Sequence, residues 1–352
     1  MTTIHDVARA AGVSTATVSR ALAGSAAVAP ATRARVHRTA QRLGYVPNTA
    51  ARQLVTGRGQ SIGLVLPDLE NPFYAAVAKG VQHRVRAAGF TAVMADTDED
   101  VDTERTVLGQ LSAGIDRLIL ASPRVPDGDV QELAARARVV LINRQVPAAQ
   151  TPVASVVPDN TDGIAQALRH LYNLGHRHVG YAGGPATSWS DAQRRRAYQG
   201  SSTPGLRVVD LGAYRPGQEG GVAAADEAIA RGVSAVLAFN DQLAIGILGR
   251  LAARGVPVPE AISVVGFDDV PVARLLAPAL TTVAVPAQRI GARAVDLLMA
   301  DPEPGNGPGH SEEDSRHDGD GAPQVVMDVE LRVRSSTAEP AAGSAAASRV
   351  PV

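Results

Sequence analysis

The chain contains no cysteine, so it has neither a disulfide framework nor a thiolate nucleophile. Aromatic residues make up only 3% of its 352 residues, and no apolar run is long enough to span a bilayer. The sequence shows no signal-peptide pattern, phosphate-binding loop, zinc-ligand spacing or nucleophile elbow. We therefore expect a cytoplasmic protein of two or three domains, with no enzyme activity, cofactor, metal or membrane partner.

Acidic residues are nearly missing from the first sixty positions. Eight arginines stand there against one acid, Asp6, which gives a formal charge of +7. Because the whole chain carries −1, the remaining residues sum to −8. A basic head on an acidic body indicates that one part of the protein meets a polyanion. The alternative is an ordinary solvated basic face, which so large an excess disfavours.

The basic segment has the pattern of three short helices. Thr3 and Asp6 match a capping box before the first helix, which Gly12 ends. Ser14 can cap the second helix, and Pro30 suits the first turn of the third. Apolar residues at helical spacing predict the core of this bundle: Ile4, Val7, Ala8, Ala11, Val18, Ala21, Leu22, Val36, Ala40 and Leu43.

The glycine turn between the first two helices indicates a helix-turn-helix, in which the second helix enters the DNA major groove. That helix lies in VSTATVSRALAG, residues 13–24, where small residues allow close approach to DNA. The fork of Arg20 can bind the O6 and N7 atoms of a guanine. Ser14, Thr17 and Ser19 can bind phosphates. The alternative is a small bundle without a partner, against which the basic charge weighs.

A further short helix pattern, TAARQLV, covers residues 49–55. Two helical turns are marginal alone in water, so we expect this helix to form only against a partner or on DNA. Asn48 can cap it, and Leu54 would be an exposed apolar tip suited to wedging between base steps in the minor groove. With Arg52, these residues form a predicted minor-groove hinge. A plain linker is the alternative.

From Ser61 to Asp268, apolar runs of strand length alternate with helix patterns. Such alternation predicts parallel sheets covered on both faces, and its length predicts two lobes. In such folds, ligands bind beyond the carboxyl ends of the strands. Polar and aromatic residues stand at the predicted ends: Asp68, Asn71, Phe73, Asn143, Asp159, Asn160, Trp189, Arg194, Asn240, Asp241, Asp268 and Asp269.

These side chains suit a sugar or another small polar molecule, because amides, carboxylates and a guanidinium stand beside aromatic faces. Helix capping is the alternative for each Asp and Asn in a strand-to-helix loop. We assign Asp241 to capping, and Asp268 and Arg194 to a ligand. Trp189 is evenly divided between ligand and core. His176 and His178, at a predicted helix-to-strand turn, are assigned structural roles.

Five segments together resemble one family: TTIHDVARAAGVSTATVSRALAG, GYVPNTAARQLVTG, SIGLVLPDLENPFYA, FNDQLAIG and VVGFDD. They look like the lactose-repressor family of bacterial transcription regulators, over residues 2 to about 336. The resemblance implies a homodimer, or a dimer of dimers, on palindromic operator DNA. It also implies that an effector bound between the lobes changes operator affinity. In this family the effector is most often a sugar, and the regulated genes are most often carbohydrate-utilisation genes. A nucleobase or nucleoside effector, or no effector, stays open.

The resemblance also implies roles for individual residues. Thr15, Ala16 and Arg20 match base-reading positions, Leu54 matches a minor-groove leucine, and the helix at 74–88 matches a dimer contact. The implied effector-binding residues, to which the aromatic pattern adds Trp189, are Asn71, Phe73, Asp159, Arg194, Asn240 and Asp268.

The implied fold is α/β, an all-α helix-turn-helix head plus a two-lobed parallel core like that of type I periplasmic binding proteins. The acidic, glycine-rich stretch 302–323 predicts a disordered insert, and the tail 337–352 is expected to be disordered too. The implied boundaries are 1–46 for the head, 47–60 for the hinge, 61–158 plus 287–322 for the first lobe, and 159–286 plus 323–336 for the second, with crossings near Pro158, Pro286 and Pro323.

Overall fold

The computed structural model describes residues 2–22, 27–45, 61–147, 151–201, 203–300 and 322–341. They belong to two compact units, Met1–Gly59 and Gln60–Val352. The predicted hinge residues Asn48, Arg52 and Leu54, and the predicted insert up to residue 321, lie outside the described residues. No described helix has both the length and the apolar character that crossing a membrane requires.

The N-terminal unit consists of three helices around one apolar core. The helices are α1 (Ile4–Ala11), α2 (Thr15–Leu22) and α3 (Pro30–Arg42). All the core residues predicted from helical spacing lie in this core or pack against it. Val28 and Tyr45 join them from outside the helices, where no periodicity marks a buried position.

The predicted capping box at the start of α1 is confirmed. Thr3 Oγ1 accepts a hydrogen bond from the Asp6 N–H at 3.4 Å, and Asp6 Oδ2 accepts one from the Thr3 N–H at 2.9 Å. The hydrogen bonds from Thr3 lower the pKa of the Asp6 carboxyl. Gly12 follows at φ +64°, a conformation that glycine adopts without strain, and leads the chain into α2.

The described part of the second unit contains two six-stranded sheets. The strands of the first are β1 (Ser61–Leu66), β2 (Thr91–Asp96), β3 (Arg117–Ala121), β4 (Arg138–Ile142), β5 (Ala154–Pro158) and β11 (Gln324–Met327). Those of the second are β6 (His178–Gly183), β7 (Arg207–Ala213), β8 (Ala235–Ala238), β9 (Ser263–Asp268), β10 (Thr281–Ala284) and β12 (Glu330–Arg332).

The spatial order is β11-β5-β4-β3-β1-β2 in the first sheet and β12-β10-β9-β8-β6-β7 in the second. Neighbouring strands are parallel except β12, which runs antiparallel to β10. In β3, Leu118 and Leu120 pack into one core cluster and Ile119 into another. Burial on both faces explains why inner strands such as β1, β3 and β9 are continuous apolar runs, whereas few residues of the edge strands β2 and β7 are buried.

Helices join the strands of each lobe. Those of the first lobe are α4 (Pro72–Ala87), α5 (Val101–Ser112), α6 (Asp127–Ala134) and α11 (Ala287–Met299). Those of the second are α7 (Asn160–Asn173), α8 (Trp189–Gln199), α9 (Gln218–Arg231) and α10 (Asp241–Ala253), with a short 3-10 helix at Pro271–Arg274.

Glycines let α4 and α11 cross at very short range. A Cβ on Gly80 would lie 2.0 Å from the Gln288 carbonyl oxygen, and one on Gly291 would lie 2.3 Å from that of Val77. Any larger residue would push the helices apart. This crossing fixes the position of α4. Its N-terminal cap, Asn71, lies in the loop that follows β1.

The third passage between the lobes does not lie where the sequence placed it. The chain passes after β5, after β10 and again between β11 and β12. The boundary expected at Pro323 is wrong, because residues 324–327 pair with β5 in the first sheet. The buried side chains of Val325 and Met327 hold β11 at that edge, so the passage falls at about residues 328–329.

The start of the tail is also ordered, contrary to expectation. Thr337 Oγ1 lies 2.9 Å from His170 Nε2, and the Ala338 carbonyl lies 2.9 Å from His176 Nε2. His176 is fully buried, and its Nδ1 lies 2.8 Å from Ser234 Oγ. These contacts hold residues 337–341 on the second lobe, and they agree with the structural role assigned to His176. Residues 342–352 lie outside the described range.

Candidate DNA-binding and ligand sites

Helix α2 has a buried side and an exposed side. Val18 is fully buried, whereas Ala16, Ser19 and Arg20 are exposed and Thr15 is half-buried. The predicted base-reading residues therefore lie away from the core of the head. Arg20 Nε donates to the Ala16 carbonyl at 3.2 Å, so this side chain lies along the helix in the structure.

Two of the predicted phosphate contacts also build the start of α2. Ser14 Oγ accepts a hydrogen bond from the Thr17 N–H at 3.1 Å and lies 2.9 Å from Thr17 Oγ1. Capping was the expected role of Ser14. A capped helix N-terminus attracts anions through its partial positive charge, so capping and phosphate contact are compatible at this position.

The described part of the head presents its positive charge to solvent. Its exposed arginines are Arg9, Arg20, Arg35, Arg38 and Arg42. Such a surface matches the phosphate backbone of DNA, whose neutralisation supplies most non-specific affinity.

In the second unit, a cleft opens between the lobes near the carboxyl ends of the strands. The first lobe lines it with Asn71, Phe73, Tyr74, Ser122 and Asn143, and the second with Ser188, Ser190, Arg194, Phe239, Asn240 and Asp268.

The structure brings five of the seven predicted effector residues together in this cleft: Asn71, Phe73, Arg194, Asn240 and Asp268. Asp159 and Trp189 are not among the lining residues. Asp159 Oδ1 accepts a hydrogen bond from the Asp162 N–H at 2.9 Å, so it caps α7. Trp189 is half-buried at the start of α8, between the two serines of the cleft.

Arg194 is locked into the wall of the cleft and is only 3% exposed. Its Nε donates to Asn160 Oδ1 at 2.8 Å, and its Nη1 donates to the Phe239 carbonyl. The guanidinium carbon lies 3.5 Å from the centre of the Phe267 ring. Burial lowers the pKa of Arg194, while the electrostatic influence of Tyr181 and Asp268 acts in the opposite direction.

Asp268 faces the cleft from the end of β9 and is half-buried. Burial raises its pKa well above the usual range, while the charge of Arg194 acts in the opposite direction. No described residue donates a hydrogen bond to its carboxylate. A ligand hydroxyl that donates to this carboxylate would supply the missing partner.

Asn143 gives the first lobe an unpaired polar group. It follows β4 in the left-handed region, at φ +57°, and its buried Oδ1 has no hydrogen-bond partner. Its backbone carbonyl accepts a hydrogen bond from Ser190 Oγ of the other lobe at 3.1 Å. Its side chain can therefore bind a ligand where the lobes meet.

For two amides the capping and cleft roles coincide. Asn71 Oδ1 accepts from the Phe73 N–H and Asn240 Oδ1 from the Leu243 N–H, each at 3.0 Å, and both residues line the cleft. The capping role predicted for Asp241 is wrong, because Asn240 caps α10.

Several cleft residues were not predicted: Tyr74, Ser122, Ser188, Ser190 and Phe239. Ser122 and Phe239 follow β3 and β8 directly, so the strand-end rule could have found them. The serines flank Trp189 at a helix start that the spacing of Ser188 and Asp191 could have marked, because Ser188 Oγ accepts a hydrogen bond from the Asp191 N–H at 3.2 Å. Burial raises the pKa of Tyr74 to about 12, so its hydroxyl stays protonated and can donate.

Exposed contacts also join the lobes beside the cleft. Arg215 Nη2 lies 2.5 Å from Asp98 Oδ1, and both side chains are largely exposed. Gln242 Nε2 donates to the Glu70 carbonyl at 3.5 Å. Such contacts depend on how closely the lobes approach each other.

Comparison with known proteins places the chain in a class. Residues 3–48 match the lacI family of bacterial regulatory proteins, and residues 168–337 match a periplasmic binding protein-like domain. The HTH-type transcriptional regulator GalR of Escherichia coli (strain K12) is 35% identical over 310 residues, covering 85% of this chain and 89% of that protein.

Solved structures share the fold. The lac repressor dimer bound to operator and the anti-inducer ONPF matches with a TM-score of 0.79 at 24% identity, covering 96% of this chain and 99% of that one. A complex of the transcriptional regulator CelR with cellobiose matches at 0.64 and 28% identity, covering 96% and 100%. Head and core together define a DNA-binding transcription regulator. The chain belongs to the lacI family of bacterial regulatory proteins.

Proposed function

We propose that the protein is a repressor of carbohydrate-utilisation genes whose operator affinity changes when a sugar binds between its lobes. The observation that carries the sugar class is the chemistry of the cleft lining. Asn143 and Asp268 offer groups without hydrogen-bond partners among the described residues, and serines and amides surround them. Phe73 and Phe239 add flat apolar faces. The hydroxyl groups of a sugar match the polar groups of this lining, and the C–H faces of its ring match the phenylalanine rings.

The charges of the cleft favour an uncharged ligand. Arg194 is the only cation in the described lining, and its guanidinium is already held by Asn160, Phe239 and the Phe267 ring. Burial already disfavours the charged form of Asp268, and a phosphate or a carboxylate beside it would disfavour that form further. An unphosphorylated sugar therefore fits better than a sugar phosphate. The cellobiose in the CelR complex, within the same fold, is consistent with this class.

The DNA partner is proposed to be a palindromic operator bound by a homodimer. Two α2 helices would enter successive major grooves, with Arg20, Thr15 and Ala16 at the base edges. Leu54, with Asn48 and Arg52, keeps its predicted role in the minor groove at the centre of the site. Sugar binding changes the relation of the lobes and thereby the affinity of the heads for DNA.

The test is a thermal-shift screen of the purified full chain, followed by DNA titration. The probes are D-glucose, D-galactose, D-xylose, cellobiose, glucose 6-phosphate, adenosine and cytidine. Trp189, the single tryptophan, lies between two cleft serines and gives an independent fluorescence signal. We expect an unphosphorylated sugar to raise the melting temperature and to change affinity for DNA from the upstream region of the chain's own gene.

Binding of a nucleoside instead of a sugar would support the role as a ligand-responsive regulator but would contradict the proposed sugar class. No hit together with tight DNA binding would favour a regulator that works without an effector. A sugar that binds without changing DNA affinity would contradict the proposed coupling.

A further inference from the structure

The turn that carries Asp268 has an unusual backbone. Asp268 and Asp269 both have positive φ, +118° and +57°. Non-glycine residues hold such conformations only where the surrounding structure supports them. Because no described residue donates a hydrogen bond to the Asp268 carboxylate, its place in the cleft depends on the backbone of this turn.

Asp241, the first residue of α10, lies fully buried against this turn. Its Oδ2 accepts a hydrogen bond from the Val270 N–H at 2.8 Å, which closes the turn on the far side of Asp268. Its Oδ1 accepts one from the Thr282 hydroxyl at 2.6 Å. One carboxylate therefore ties the start of α10 to β10 and to the turn after β9.

Gly266 of the second sheet has no side chain, and the Asp241 carboxylate lies in the space that a side chain would fill. Gly266 of β9 pairs with Thr282 of β10. A Cβ on Gly266 would lie 2.1 Å from Asp241 Oδ1. Glycine at this position is thus needed for the carboxylate to reach both of its partners.

Charged groups surround the turn on the side of the C-terminal segment. Arg334 Nη2 lies 2.5 Å from Asp269 Oδ1, and its Nη1 donates to the Leu280 carbonyl at 2.7 Å. Burial raises the pKa of Asp241 to about 7; its hydrogen bonds to Thr282 and Val270 and the charge of Arg334 lower it, and Asp269 raises it. Asp241 and Asp268 also repel each other.

We propose that Asp241 is a positioning residue for Asp268, and that it acts by holding the turn which carries the ligand-binding carboxylate into the cleft. Asp241 is not among the residues that line the cleft, so it acts through the turn and not through contact with the ligand. For the ligand itself, this inference rests on the proposed function.

The test compares Asp241→Ala, Asp241→Asn and a control, Asp226→Ala, in the full chain. Asp226 pairs with Arg250 at 2.8 Å between α9 and α10, away from the cleft lining. The probe is whichever of D-glucose, D-galactose, D-xylose and cellobiose binds the wild-type protein most tightly. Its binding to each variant is measured by calorimetry and by Trp189 fluorescence. Crystal structures of the wild-type protein and both Asp241 variants give the φ angles of Asp268 and Asp269 without any ligand.

We expect Asp241→Ala to weaken sugar binding at least tenfold and to move both φ angles out of the left-handed region. Asp241→Asn should stay within threefold of wild type and keep the turn, because its oxygen can accept from Val270 and its amide can donate to Thr282. Asp226→Ala should change neither readout. If Asp241→Ala does not fold, Thr282→Val removes one of the two hydrogen bonds and should give a smaller loss in the same direction.

An unchanged turn in Asp241→Ala, or an unchanged sugar affinity, would overturn the positioning role. Asp241→Asn behaving as badly as Asp241→Ala would overturn its hydrogen-bond basis. If no sugar binds the wild-type protein, the proposed sugar class fails, and the φ angles alone decide the role of Asp241.

Discussion

The two lobes share one architecture but bring different chemistry to the cleft between them. The first lobe contributes neutral groups, among them Asn71, Ser122 and Asn143. Both charged residues of the described lining, Arg194 and Asp268, come from the second lobe. Similar folds therefore do not imply similar shares in binding.

The lobes also differ in how their cleft residues are supported. In the second lobe, Asn160 and the Phe267 ring hold Arg194, and Asp241 holds the turn of Asp268. In the first lobe, the side-chain oxygen of Asn143 is buried without a partner. We expect the second lobe to be formed before the ligand arrives, and the first lobe to gain a hydrogen bond when it closes on the ligand. Four predictions test this difference.

Replacing Asp268 with alanine should have the largest effect on binding. The variant loses the carboxyl group that would pair with ligand hydroxyls, for which we expect an affinity loss of about a hundredfold, or about 3 kcal/mol. Calorimetry with the sugar that binds the wild-type protein measures it. Asp159→Ala is the matched control, because Asp159 caps a helix of the same lobe outside the cleft lining. Equal losses of sugar affinity in both variants would contradict a direct role for Asp268 in sugar binding.

The second prediction concerns pH and the buried Asp241. Its pKa is raised from 3.8 to about 7, so the folded state binds a proton more tightly than the unfolded state. Folding stability from this group is therefore greatest below about pH 4 and decreases as pH rises towards 7. Asp241→Asn removes this dependence. Its free energy of unfolding should rise relative to wild type by about 2–3 kcal/mol between pH 5 and pH 8.

Urea denaturation at both pH values measures this difference. Asp226→Asn serves as the control. The pKa of the Asp226 carboxyl is lowered in the wild-type protein, so its removal should cause no such rise between pH 5 and pH 8. A constant difference between Asp241→Asn and wild type across this range would show that Asp241 does not titrate there.

Asn143→Gly tests the neutral lobe and should have an intermediate effect. Glycine tolerates the φ of +57° at this position, so the variant removes the amide without straining the backbone. We expect sugar affinity to fall about tenfold, which corresponds to one hydrogen bond. The melting temperature without sugar should hold or rise slightly, because a buried unpaired oxygen is lost. A clear fall in that melting temperature with unchanged affinity would make Asn143 a structural residue instead.

The smallest effect should come from the exposed contact between the lobes. Arg215→Ala removes an ion pair with Asp98 in which both side chains are mostly exposed. Water and salt screen such pairs, so we expect less than a threefold change in sugar affinity, and none at high salt. Trp189 fluorescence titrations at low and high salt would detect it. A tenfold change would mean that this contact controls closure.

Much of this organisation could be predicted from local patterns. Strands buried on both faces are continuous apolar runs, so their order along the chain was readable, and glycine and capping residues marked the helices of the head. Asn71 and Asp268 were found because ligand groups gather at the ends of parallel strands, and Arg194 was added from the segment that follows β6. Asp159 and Asn240 stand in the same kind of loop, but only Asn240 lines the cleft.

The remaining features depend on contacts distant in sequence. The sequence of β11 is a short apolar run, and its place beside β5 follows from pairing across more than 150 residues. Residues 337–341 are ordered because His170 and His176 provide partners for them. The role of Asp241 depends on Thr282 and on the space above Gly266, which no local pattern encodes.

The central claim is that the cleft and the DNA-binding head are energetically coupled. The most direct measurement is sugar affinity with and without saturating operator DNA, alongside operator affinity with and without saturating sugar. Linkage requires both affinities to change by the same factor, and we expect that factor to lie between about 5 and 150, or about 1–3 kcal/mol. Equal, non-unit factors in the wild-type protein, with sugar binding lost in Asp268→Ala, would support the account. A factor of one in both directions would contradict it.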